Sequence, residues 1–95
     1  MKLLRITPSV LPEKKYDAFF EDDGRHKKVS FGARDMEDYT THKDKERRKR
    51  YLDRHKDRED WNQPDTAGAL SRWILWGDST SFRENVASFK KRFNL

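Results

Sequence analysis

Read as a string of apolar and polar positions, the chain is polar almost throughout and breaks that habit in one place. Between Ala67 and Trp76 seven of ten residues are apolar, and two of the three tryptophans lie there. Such density predicts a buried segment that the other elements must cover. On a helix over about Thr66 to Trp76, Ala67, Leu70 and Ile74 fall along one side, and Ala69, Trp73 and Trp76 along another. Apolar residues on both sides predict a helix packed on both sides. Asp65 or Thr66 is placed to cap it, and Gly77 to end it in a left-handed turn.

Lys14 to Gly32 carries the alternation of a β-hairpin. Asp23-Gly24 is a favoured two-residue turn, because Gly adopts φ > 0 without a clash. With Asp22 opposite Arg25, Phe20 faces Lys27, Ala18 faces Val29, and Tyr16 faces Phe31. One face then holds Tyr16, Ala18, Phe20, Val29 and Phe31. A lone hairpin is marginal in water, so this face needs a cover, and the Trp-rich helix is the expected one. Residues 1–13 hold Leu3, Leu4, Ile6, Val10 and Leu11 around Pro8 and Pro12. The prolines predict an extended arm, with at most a short strand at Leu3 to Ile6. Gly32 to His42 shows no period and reads as a connector anchored by Met36 and Tyr39.

Lys43 to Glu59 is helical by content, with Asp44 as cap and Glu46 near the positive end of the helix. Arg48, Tyr51, Leu52 and His55 share its expected core side. Lys43, Arg47, Arg50, Arg54 and Arg58 form a cationic stripe over roughly 22 Å of axis. Pro64 ends the helical stretch near Trp61. Ser81-Phe-Arg-Glu84 is a capping box opening a third helix to about Phe93, whose apolar stripe is Phe82, Val86, Phe89 and Phe93. The expected fold class is therefore α+β, an N-terminal β-hairpin packed on three short helices. Residues 1–13 form the arm and residues 14–95 a single compact domain.

Composition sharpens this picture. The chain has 95 residues, of which 33% are hydrophobic, 41% charged and 13% aromatic. The charge content leans toward disorder, but the aromatics supply a small, area-rich core. Lys and Arg number 22 against 17 Asp and Glu, a net charge of +5. That is basic without being single-signed. There is no cysteine, hence no disulfide framework and no thiolate metal site. No apolar run approaches the ~20 residues of a membrane span, and Met1 to Leu4 is too short for a signal peptide.

Catalytic signatures are missing. His42 and His55 are thirteen positions apart, His26 stands alone, and no structural zinc spacing results. No nucleophile elbow, phosphate loop or dinucleotide fingerprint occurs. The chain is expected to be no enzyme and to need no cofactor or metal. Trp73, Trp76, Phe89 and Phe93 read as core, while Trp61, outside a helix and close to Pro64, is the aromatic most open to a partner.

The cationic stripe of Lys43, Arg47, Arg50, Arg54 and Arg58 is the sharpest candidate site. Arginine forks suit phosphate, and the stripe can follow a nucleic-acid backbone or meet an acidic protein. The competing reading is a solvated helix paired with itself. Glu46 is four before Arg50, Asp53 three after Arg50, and Asp57 three after Arg54. Sequence leaves these alternatives open.

The segments KKYDAFF, KKVSFGARDMEDYTTHKD, ERRKRYLDRH and TAGALSRWILWGDSTSFRENVASFKKRF resemble a family of short uncharacterised basic proteins of large double-stranded DNA viruses and some tailed phages. The resemblance covers about Lys14 to Phe93. It carries no assigned catalytic residue. It implies a viral origin and a virion or genome-associated component. With the balanced charge and the absence of a site, the expected function is a structural or interaction protein, a minor virion component binding other virion or host proteins. The alternative is non-specific DNA or RNA binding through the Arg stripe of helix 43–59. The expected place is the virion or the host-cell interior, and the apolar pattern of the chain adds that it is neither secreted nor membrane-spanning.

Overall fold

A computed structural model describes residues 1–95. It shows a three-stranded antiparallel sheet followed by short helices, an α+β fold. The strands are β1 (Lys2–Pro8), β2 (Lys14–Asp22) and β3 (Arg25–Ala33), in that spatial order. The turn between β2 and β3 has Asp23 at φ 52° and Gly24 at φ 81°, the two positive angles that the twist of a tight hairpin requires. The register pairs Asp22 with Arg25, Phe20 with Lys27, Ala18 with Val29 and Tyr16 with Phe31, as the pattern predicts. Ala18, Phe20 and Phe31 are fully buried.

Residues 1–13 hold the strand expected at Leu3 to Ile6, but longer, and it is paired into the sheet, not left as an arm. Seven of them form β1, paired along β2. A bulge lies between Leu3 and Arg5, so that Leu3 sits opposite Phe20 and Ile6 opposite Ala18. The extra residue brings Leu3 and Ile6, three apart, onto the same core face, which strict alternation forbids. The Arg34 guanidinium then holds the carbonyls of Ser9, Leu11 and Lys14, tying down the link to β2.

The connector contains one helical turn, α1 (Tyr39–His42), which sequence periodicity is too short to reveal. Asp38 caps it through the Thr40 amide, and Thr41 bonds back to the Asp38 amide. Tyr39 is buried, whereas Met36 is 64% exposed and anchors nothing. Next comes α2 (Lys45–His55), capped by Asp44, whose carboxylate accepts from the amides of Glu46 and Arg47. It is shorter than the expected 43–59 at both ends. Lys43 takes the left-handed conformation, at φ 59°, which stops α1 before α2 begins. Past His55 the chain turns, and the Arg58 guanidinium covers the open Arg54 carbonyl.

The Trp-rich stretch is α3 (Ala67–Leu70), capped by the Thr66 hydroxyl and running on as a π-helical turn over Ser71–Leu75. Gly77 does not end it through a left-handed angle. A Cβ there would lie 2.4 Å from the Trp73 carbonyl and 2.6 Å from the Asn85 amide carbon, so close approach is what demands glycine. Finally α4 (Phe82–Phe93) is capped by Ser81, whose hydroxyl accepts from the Glu84 amide. The Glu84 carboxylate takes the Ser79 hydroxyl, not the Ser81 amide, so half of the expected box forms. Buried Asn85 joins the two elements, donating to the carbonyls of Ile74 and Ser79 and accepting from the Ser79 amide.

The core is built from all layers: Leu3, Ala18, Phe20 and Phe31 of the sheet, Tyr39, then Leu70, Ile74, Leu75, Trp76 and Phe89. The central stretch is thus covered by the sheet on one flank and by α4 on the other. No helix is long and apolar enough to cross a membrane.

Candidate anion-binding cleft

The path from sequence to site runs through α2. Its apolar side carries Tyr51 and Leu52 against the core. Tyr51 lies flat on Trp76, centroids 4.1 Å apart at 4°, and His55 stacks on its other face at 4.1 Å. His55 is four residues on, so helical spacing brings the rings together. Burial, then the nearby Glu59, hold the Tyr51 hydroxyl well above the usual phenol range. On the same side the Arg48 guanidinium donates to the carbonyls of Trp76 and Gly77 and to Asp78 at 2.9 Å. An arginine on an apolar helix face was the signal for this clamp, which satisfies carbonyls at the end of the π turn.

Anchoring α2 by these groups turns its next flank into one side of a cleft of 430 Å³. Arg47, Arg50 and Arg54 line it from α2. Lys14, Lys15, Ala33 and Met36 to Asp38 line it from the end of the sheet and the connector, and Gly68 and Ser71 from α3 and the π turn. Arg47 is partly buried; Arg50 and Arg54 are exposed. Lys43 and Arg58 do not line the cleft; both lie beyond the ends of α2. Lys14 and Lys15 were missed as site residues, since only the folded chain sets the start of β2 beside α2.

The self-pairing of α2 that the sequence left open as an alternative does not form. The ion pairs of the protein are the N-terminus with Asp22, Lys15 with Asp38, Lys27 with Asp65, Arg48 with Asp78 and His55 with Glu59. Arg47, Arg50 and Arg54 have no carboxylate within 4.0 Å. A surface pair along a helix is worth only ~0.3–0.5 kcal/mol, too little to keep these side chains from the cleft. The cleft's acids are mostly occupied. Asp38 takes the Lys15 ammonium at 2.6 Å, and Glu59 takes the Trp61 indole N–H at 3.0 Å and His55 at 3.3 Å. At the helix start, the amides of Arg47 and Glu46 hold the Asp44 carboxyl below the usual carboxylate range, with the charge of Arg50 adding to them.

The aromatic expected to be open is engaged. Trp61 accepts the Trp73 indole N–H on its carbonyl at 2.8 Å, and the Arg72 guanidinium lies 5.1 Å from its ring. Trp73 is only partly buried, with Arg72 and Arg92 at 4.1 and 3.7 Å from its ring. Nowhere do three or more His, Asp or Glu side chains gather as a metal site would need.

The profile of a family of unknown function (DUF5754) matches residues 4–55. That span runs from β1 to the end of α2 and contains Lys14, Arg47, Arg50 and Arg54. No curated protein and no solved structure matches.

Proposed function

We propose that this chain, which belongs to the family of unknown function DUF5754 over residues 4–55, is a non-enzymatic interaction protein that takes an anionic partner in its arginine cleft. The observation that carries this reading is that Arg47, Arg50 and Arg54 face a concave surface with no acid paired to any of them. Guanidinium groups without internal partners keep their fork of donors for an external carboxylate or phosphate. The net charge of +5 adds a weak long-range attraction of the same sign.

The resemblance to small basic viral proteins supports a viral origin, and with it a role as a minor virion or genome-associated component. The test is a salt titration of labelled polyanions against the wild type and Arg50→Glu with Arg54→Glu. Binding that weakens steeply with salt, and is lost in the double variant, is expected. Absence of binding to any polyanion at low salt refutes the role of the cleft. Mass spectrometry of purified virions tests the viral placement separately.

A further inference from the structure

We infer that the polymer held in the cleft is a single nucleic-acid strand, gripped by its phosphates and not read by its bases. This rests on the anion-binding role proposed above and adds the class of ligand. Three features of the cleft lead to it.

The first is reach. Arg47, Arg50 and Arg54 span about 10 Å along α2, enough for a few successive phosphates. Arginine forks at each of them suit a polymer with a charge on every unit.

The second is the cleft's second wall. A helix with its side chains is about 10–12 Å across and fills the ~12 Å major groove, so a helix that reads duplex needs bare flanks. Here the arginine flank of α2 is walled by Lys14, Met36 and Glu37. A thin strand enters such a cleft; a duplex meets the rim first.

The third is the state of the rings. Tyr51 has one face on Trp76 and the other on His55, and Trp76 is 8% exposed. Neither face of the Tyr51 ring is open to a base and Trp76 is buried, so these two rings form no stacking platform that would read sequence.

Anisotropy titrations of four labelled probes decide this: a single-stranded DNA, the RNA of the same sequence, the blunt duplex of that DNA, and a poly-glutamate peptide. The single strands are expected to bind about tenfold or more tighter than the duplex. The logarithmic salt slope should be about −2, from ~0.7 per phosphate for three arginines. Scrambling the sequence should leave the affinity unchanged. Arg50→Gln and Arg54→Gln should each flatten the slope by about 0.7. The pair Lys45→Glu with Lys49→Glu, outside the cleft, makes the same charge change as Arg50→Glu with Arg54→Glu and should weaken binding far less. Duplex bound as well as single strand, or poly-glutamate bound in preference to both, overturns the inference and leaves the anion cleft standing. Equal losses in the two charge-reversed pairs overturn the cleft itself. Melting temperatures of the variants, all at exposed positions, confirm that a loss of binding is not a loss of fold.

Discussion

Asp17 lies beneath the link between β1 and β2, 1% exposed, on the sheet face away from the helices. Its carboxylate accepts the Ser9 hydroxyl at 2.7 Å, the Ser30 hydroxyl at 2.6 Å and the Val10 amide at 3.3 Å. The Ser30 bond, then the Ser9 bond, hold it below the usual carboxylate range. A depressed pKa contributes stability that is present above the unfolded-state value, ~4, and fades as pH falls through the folded one. Melting curves from neutral to acid pH should therefore show Asp17→Asn several degrees less stable at neutrality, with the gap closing in acid. A constant gap would mean that Asp17 acts by shape alone. The tryptophans give a second measurement. Trp76 is buried and Trp73 is not. Trp76→Ala should cost ~3–5 kcal/mol and Trp73→Ala about 2 kcal/mol by urea denaturation. The reverse order would show that the core is centred elsewhere.

Elements differ in how far short-range pattern determines them. The β2–β3 hairpin needs only a turn of known chemistry and a period of two, so its full register was legible. Of β1 only a short strand at Leu3 to Ile6 was legible, because the bulge between Leu3 and Arg5 breaks the period that announces a longer one. The helix starts were legible from their caps at Asp44, Thr66 and Ser81. Their ends were not. The π turn over Ser71–Leu75 and the close packing at Gly77 answer to Asn85, which reaches back across the gap between elements. Asn85→Leu keeps the volume and strips three hydrogen bonds from buried or half-buried backbone groups. It should cost at least about 3 kcal/mol, read by thermal or chemical unfolding. Retained stability would mean that those backbone groups find other partners. Beyond the two ends of α2, Lys43→Glu with Arg58→Glu should leave polyanion binding nearly as in the wild type, since neither residue reaches the cleft.

For the whole molecule, ligand binding and stability are linked. A strand that occupies the cleft of the folded chain alone should raise the melting temperature of the wild type, by up to ~2.7 kcal/mol of added stability at a hundredfold excess over Kd. It should not raise that of Arg50→Glu with Arg54→Glu, and a differential scanning fluorimetry series checks this. The α+β class, the paired register of the hairpin, the capped helix starts and the arginines on one flank of α2 all follow from contacts within a few residues. Period, turn and cap act over that range, and so they can be read from the linear chain. The cleft belongs to another range. Lys14 and Met36 face an arginine flank that begins at Arg47 because Tyr51 stacks on Trp76 and Arg48 clamps the carbonyl of Gly77. Those contacts join residues 25 to 29 positions apart. Packing over that distance sets Arg47, Arg50 and Arg54 along one wall of a cleft, and the few tenths of a kcal/mol of a surface ion pair are too little to hold them to the acids of their own helix.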